Sequence, residues 1–146
     1  MTNERYAYLL TVDKKYWDIF LKRNRSFKTQ SFVRRNQVGP MPVERLLFYV
    51  TGKRQVLGSA DFLERVVGPF ADLWAKFGSE SCFGSFDEYK KFVDGRLKVT
   101  FLRFSNFKEI IHPQTKEEVS EVLGSMQGFG AGRYLDEETA TQLVQT

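Results

Sequence analysis

Apolar positions along the chain fall into short blocks, and the spacing within each block predicts one type of element. Continuous or alternating apolar runs are typical of strands, because every second side chain of a strand faces the same way. The predicted strands are residues 5–12, 31–34, 45–51, 56–64 and 97–104. A turn at 52–55 joins the third and fourth of them, which predicts a central hairpin.

Helix signals lie between these strands. Tyr16 and Phe20 follow helical spacing behind Asp13, which is a suitable N-cap. A serine or threonine followed three residues later by glutamate matches the capping box at 85–88 and at 115–118. The predicted helices are residues 14–22, 70–77, 86–93, 116–123 and 136–143.

The order of these elements favours an α+β fold, because strands and helices are mixed without repeating as βαβ units. We expect a small, strongly curved sheet or barrel with four to five short helices packed around it. Short connections and the absence of a linker predict a single domain over residues 1–146. Small residues at 58–60, in the middle of a predicted strand, indicate close approach of another group.

Positive charge is concentrated in the first part of the chain. Residues 1–60 contain twelve Lys or Arg and four Asp or Glu, a net of +8, whereas residues 61–146 contain ten and fourteen, a net of −4. The stretch 19–43 has no acidic residue. A segment of one sign favours an anionic partner such as phosphate. The alternative is a solvated surface that folds back onto the acidic second half.

Several kinds of site are not supported by the sequence. A metal centre lacks ligand spacing, because His112 is the single histidine and Cys82 the single cysteine. The glycine-rich stretch 124–132 lacks the Lys-Ser/Thr ending of a phosphate loop, although Arg133 and nearby amides could contact an anion. No apolar run approaches the roughly 20 residues of a membrane span. We therefore expect a cytoplasmic protein without a metal, a cofactor or a membrane partner.

Basic and aromatic residues occur together after the first helix. The basic residues there are Arg23, Arg25, Lys28, Arg34 and Arg35, and they are interleaved with Phe27 and Phe32. Lys53 and Arg54 lie at the turn of the predicted hairpin. Because phosphates bind cations and bases stack on rings, this combination is typical of a nucleic-acid interface.

The hairpin resembles a known family. Its strands, LLFYVT at 46–51 and VLGSADF at 56–62 on either side of a basic turn, are similar to the central hairpin of the PUA-like superfamily, which includes the ASCH and EVE domains. The preceding strand, helix and basic loop match in order. The segment GRYLDEE at 132–138 resembles the ending of an uncharacterised archaeal branch of that superfamily.

This resemblance implies a mixed-strand pseudo-barrel that recognises RNA or a modified base in a cleft beside the hairpin. By position, the cleft would be lined by Lys28, Ser31, Phe32, Arg34, Tyr49, Thr51 and Lys53. The typical ASCH loop, Gly-x-Lys-x-x-Glu-x-Arg, is absent, and the corresponding loop here is acid-free. This departure argues against the amide hydrolysis known in part of that family.

Three functional hypotheses follow, and the balance favours binding over catalysis. The first is an RNA, nucleotide or modified-base binding module. The second is a nucleotide-directed hydrolase or nuclease of ASCH type, with Lys28 or Lys53 as proton shuttle and Glu64 as partner. The third is a protein-interaction domain that uses the acidic second half. The predicted binding residues are Arg23, Arg25, Lys28, Ser31, Phe32, Arg34, Arg35, Tyr49, Thr51, Lys53, Arg54 and Arg133.

Overall fold

A six-stranded mixed sheet with five α-helices forms the framework, in a computed structural model that describes residues 5–35, 40, 42–124 and 132–144. The elements are β1 (Ala7–Val12), α1 (Lys14–Arg23), β2 (Thr29–Arg34), β3 (Arg45–Val50), β4 (Gln55–Pro69), α2 (Phe70–Phe77), α3 (Phe86–Val93), β5 (Lys98–Glu109), α4 (Lys116–Leu123), β6 (Gly132–Leu135) and α5 (Glu137–Val144). A 3₁₀ turn, Gly78–Glu80, follows α2. No helix among these residues is both long and apolar enough to cross a bilayer.

The sheet has the order β2-β5-β4-β3-β1-β6, in which β1 and β3 are parallel and the other pairs are antiparallel. β4 is 15 residues long and pairs with two strands, β3 and β5. Its pairing with β3 ends at Asp61, whereas its pairing with β5 continues to Pro69. This shared strand lets the sheet curl, so that Arg34 at the end of β2 lies over the ring of Tyr8 in β1, with 6.0 Å between guanidinium carbon and ring centre.

Helix α1 fills the concave side of the curled sheet. Trp17 and Phe20 are its buried residues, and Phe20 packs edge-on against Phe104 of β5 with ring centres 5.3 Å apart. The opposite face of β1 and β3 carries a second core beneath α4 and α5. Its buried members are Ala7, Leu9, Leu47, Tyr49, Val56, Ile110, Val119, Leu135, Ala140 and Leu143. Strict alternation along β1 and β3 supplies both cores, as the period of two requires.

The capping predictions differ in outcome. Thr115 and Glu118 form a complete capping box at the start of α4. At α3 the Ser85 hydroxyl accepts a hydrogen bond from the Glu88 amide, at 3.2 Å. The Glu88 carboxylate accepts a hydrogen bond from the Gly84 amide, at 3.1 Å, in place of the Ser85 amide that a capping box requires. The capping box at α3 is therefore half formed.

Strand lengths are where the sequence predictions are wrong. β4 continues beyond 64, and β2 begins at Thr29, inside a stretch expected to be loop. β5 continues beyond 104 to Glu109, which is one of the two alternatives that the sequence leaves open for residues 106–112. β6 was not predicted, because four residues with one buried position carry no periodic signal. The predicted glycine-rich loop lies mostly on 125–131, outside the described residues.

The small residue at position 58 is required by packing, as the sequence indicated. A Cβ on Gly58 would lie 2.5 Å from Cη2 of Trp17 and 2.7 Å from the carbonyl oxygen of Lys108. We expect Gly58→Ala to lower the free energy of unfolding by about 1–3 kcal/mol, because overpacking forces the indole or the strand to move. Urea denaturation measures this. Gly84→Ala is the control, since a Cβ there meets only a Glu88 carboxylate oxygen at 3.6 Å. Equal losses in both variants would contradict the packing argument.

Cys82 is packed in the larger core and is 8 % exposed. Burial raises the pKa of its thiol to about 12, which disfavours the reactive thiolate. We expect the native protein at pH 8 to react slowly with a thiol reagent and the urea-unfolded protein to react fast. Because the pKa of the Cys82 thiol is higher in the folded than in the unfolded protein, its contribution to the free energy of unfolding is complete at neutral pH. It is lost as the pH rises from about 9 toward 12. Rapid labelling of the native protein would contradict the buried position.

Candidate functional site

Helix α1 separates two of the predicted basic groups. It has 10 residues and is therefore about 15 Å long. Its first turn lies against the hairpin tip, where Gly52 packs on the Lys14 side chain. Its last turn leads into the exposed Arg25 and Lys28. Lys28 and Lys53 therefore lie near opposite ends of α1 and do not line one cleft.

The residues of β2 point to different surfaces. Phe32 faces α1, with ring centres 6.3 Å from both Tyr16 and Phe20. Ser31 faces the other side of the strand and donates a hydrogen bond to Glu80 Oε2 at 2.9 Å. Tyr49 belongs to the second core beneath α4. The structure therefore distributes the predicted cleft residues over three surfaces, and a binding role for each of them stays a prediction.

Two of the predicted arginines make identifiable structural contacts. The Arg23 guanidinium donates hydrogen bonds to the carbonyl oxygens of Ser79 and Ser81, and it lies 4.3 Å from the ring centre of Phe27. Arg23 thus ties the end of α1 to the 3₁₀ turn. The Arg35 guanidinium lies 5.2 Å from the ring centre of Phe92 in α3.

A half-buried polar network joins β2, β5 and the 3₁₀ turn. Arg103 donates two hydrogen bonds to the Glu80 carboxylate, at 2.9 and 2.8 Å, and its pKa is raised mainly by that pairing. Glu64 is 3.4 Å from the same guanidinium but 49 % exposed. Ser31, Arg103 and Glu64 lie side by side in the register of three strands. This network holds the α2–α3 layer on the sheet.

We expect Glu80→Gln to lower the free energy of unfolding by about 1.5–3 kcal/mol, because it replaces a charge-assisted pair with the half-buried Arg103 guanidinium by a neutral amide. Glu64→Gln is the matched control and should cost less than about 1 kcal/mol, since that carboxylate is solvated. Denaturant titration of both variants measures the difference. A larger effect at Glu64 than at Glu80 would contradict this assignment.

A polar cluster lies at the hairpin end of the second core. Tyr49 is 6 % exposed, and its pKa is raised by burial and, to a smaller extent, by Glu117, while Arg54 opposes the rise. Thr11 neighbours Tyr49 in the register, and its buried Oγ1 has no hydrogen-bond partner among the described residues. Arg54 adopts a left-handed backbone conformation, with φ of 54°. Burial of Tyr49 thus favours its neutral phenol.

Two arginines and two tyrosines form a continuous row where the ends of the sheet meet; we call Arg5, Tyr8, Arg34 and Tyr134 the arginine–tyrosine row. Arg5 lies 5.1 Å from the ring centre of Tyr134, and Arg34 lies 6.0 Å from that of Tyr8. The two rings meet edge to face at 5.1 Å. The order along the row is therefore cation, ring, ring, cation, and this arrangement suits bases and phosphates.

A cavity of about 400 Å³, which we call the β6 cavity, adjoins this row. It is lined by Arg5, Val122, Leu123, Arg133, Tyr134, Leu135, Asp136 and Thr139. Asp136 is the N-cap of α5, because its carboxylate accepts a hydrogen bond from the Thr139 amide at 2.8 Å. Hydrogen bonding by Thr139 also holds the pKa of Asp136 below its ordinary value. The cavity therefore combines two guanidinium groups with an apolar wall.

Strand register places Arg133 on the same face as the hairpin-end cluster. Arg133 lies opposite Leu9, which belongs to the second core with Tyr49. α4 extends between the two regions, since Glu117 acts on Tyr49 and Leu123 lines the β6 cavity. Its 8 residues span about 12 Å.

Sequence reasoning identified Arg34 and Arg133 but not Arg5, Tyr8 or Tyr134. The tyrosines lie in strand-like runs, where a ring is normally assigned to the core. Only the pairing of Tyr8 with Tyr134 brings them together, across more than a hundred residues of chain. The available sequence signal was the GRYL segment at 132–135. In the structure its glycine, Gly132, has φ of 150° and packs against Leu9 and Tyr8.

Comparison with known proteins identifies the fold. No protein-family model and no curated protein sequence matches the chain. Three crystal structures of the ASCH protein of Zymomonas mobilis superpose on it with a TM-score of 0.77: the unsubstituted protein, a serine-to-alanine mutant and a tyrosine-to-phenylalanine mutant.

Identity to these structures is 23–24 %, over 97 % of this chain and 95–98 % of theirs. The chain therefore has the fold of that ASCH protein, a mixed α+β architecture, which confirms the predicted fold class. The likeness gives no support to the archaeal branch, which stays a prediction.

Proposed function

We propose that this chain is a PUA-like nucleic-acid-binding module that holds RNA, or a nucleotide with an ordinary or modified base, at the β6 cavity and the arginine–tyrosine row. The observation that carries the proposal is the meeting of Arg5, Arg133 and Tyr134 at one base-sized cavity. Guanidinium groups bind phosphate and stack on bases, and the apolar wall of Val122 and Leu123 suits a base.

The location differs from the cleft beside the hairpin that the sequence resemblance implied. Arg34 belongs to both, since it closes the row over Tyr8. Lys53 and Arg54 are exposed at the hairpin tip, near Lys14 and Lys15 of α1. They would supply further phosphate contacts to a longer nucleic-acid strand. The Arg23 guanidinium is instead hydrogen-bonded to the carbonyl oxygens of Ser79 and Ser81. The net charge of +4 is consistent with an anionic partner.

No contact among the described residues favours the hydrolase hypothesis. A lysine proton shuttle needs a buried position, and both Lys28 and Lys53 are exposed. Glu64 is nine residues along β4 from the hairpin end of that strand and contacts Arg103 instead. The protein-interaction hypothesis has exposed acidic side chains on α4 and α5 in its favour.

The proposal predicts salt-dependent RNA binding that depends on Arg133. Fluorescence anisotropy with a labelled single-stranded RNA of about ten nucleotides, titrated across a salt series, measures affinity and slope. We expect Arg133→Ala and Arg34→Ala each to weaken binding about 5- to 20-fold at low salt. Each should also reduce the salt slope by about one. Circular dichroism melts exclude unfolding as the cause.

The matched control is Arg96→Ala, which removes an exposed arginine outside both the cavity and the row. It should change affinity less than twofold. Undetectable binding by the unsubstituted protein at low salt would overturn the proposal. An effect of Arg96→Ala as large as that of Arg133→Ala would place the binding surface elsewhere.

A further inference from the structure

The β6 cavity has the size of one nucleotide. Its volume of about 400 Å³ is at the lower end of the range for small-molecule sites. α4, β6 and α5 contribute its walls. A recess of this size admits the end of a strand or a free nucleotide, and it is too small for a base-paired segment.

Basic residues outnumber acidic ones among the described residues that line the recess. Arg5 and Arg133 are the two arginines there, and Asp136 is the one acid of that described lining. The Asp136 carboxylate already accepts the Thr139 hydrogen bond that caps α5. Glu137 and Glu138 follow in the first turn of α5, but they are exposed and do not line the cavity.

Phosphates differ in the charge they bring to such a pair. A phosphodiester inside a strand carries one negative charge, whereas a terminal phosphate monoester carries about −1.5 to −2 and three terminal oxygens. Each guanidinium can bind two oxygens through its planar fork. Two guanidinium groups at one cavity therefore match a monoester better than a diester.

We propose that the β6 cavity recognises the terminal phosphate monoester of a nucleotide, with Arg5 and Arg133 binding the phosphate and Val122 and Leu123 contacting the base. The ligand is an RNA end or a free nucleoside monophosphate, which share this chemistry. This inference rests on the proposed function and sharpens it, because general RNA binding does not require a preference for phosphorylated ends.

The test compares RNAs of one sequence that differ only at their ends. Anisotropy at fixed salt is measured for a ten-nucleotide RNA with a 5′-phosphate, with a 3′-phosphate and with hydroxyls at both ends. Competition by a nucleoside 5′-monophosphate, against the matching nucleoside, separates a free nucleotide from a strand end. The variants are Arg133→Ala, Arg133→Lys and, as control, Arg96→Ala.

We expect one phosphorylated RNA to bind at least tenfold more tightly than the hydroxyl-ended RNA, and the better end identifies which terminus enters. Arg133→Ala should reduce this preference to less than about twofold, Arg133→Lys should restore only part of it, and Arg96→Ala should leave it unchanged. Competition by the monophosphate but not by the nucleoside supports the same assignment.

Equal affinity for all three RNAs would overturn this inference while leaving the proposed RNA binding in place. A preference that survives Arg133→Ala would overturn the assignment to this cavity. Absence of binding by every RNA would overturn the proposed RNA binding as well.

Discussion

The packing of one aromatic residue organises most of this fold. Phe20 of α1 is fully buried, and its ring meets rings from β2, β3 and β5, among them Phe32, Phe48 and Phe104. Those three strands can surround one side chain only if the sheet curls. The curl in turn depends on β4, which pairs with β3 along its first half and with β5 along its second. Burial of α1 and closure of the sheet are therefore one event.

Closure also creates the proposed site. Arg34 reaches Tyr8 because the curl of the sheet brings β2, at one edge, close to β1 near the other edge. Tyr8 meets Tyr134 because β6 pairs with β1 at that second edge. None of these residues is close to the others in sequence. The site is thus a product of topology: a change in the curl would separate the cations from the rings without altering any of them.

Local rules were sufficient for the helices and for the existence of most strands. Asp13 caps α1, and the capping box at Thr115 starts α4, because both signals act within one turn of backbone. The ends of β4 and β5 were not predictable in that way, since a long strand continues for as long as it has a partner.

Prediction of the site was limited for the same reason. Charge and aromatic content identified the class of surface, and Arg34 and Arg133 were named as members. The face to which each side chain points depends on register, which placed Phe32, Ser31 and Tyr49 on three different surfaces. Arg23 shows a further limit of prediction from charge. Its charge suggested a ligand contact, but its guanidinium donates hydrogen bonds to two backbone carbonyl oxygens.

The position of β6 has a consequence for how the molecule assembles. β1 lies between β3 and β6, which follow it by about forty and well over a hundred residues. On a ribosome, β1 and β3 can pair early, but the outer edge of β1 waits until Leu135 has emerged. Contacts of such large sequence separation form late and slowly. The proposed ligand site would thus form after the β1–β3 pair, and a chain stalled before β6 would lack Arg133 and Tyr134.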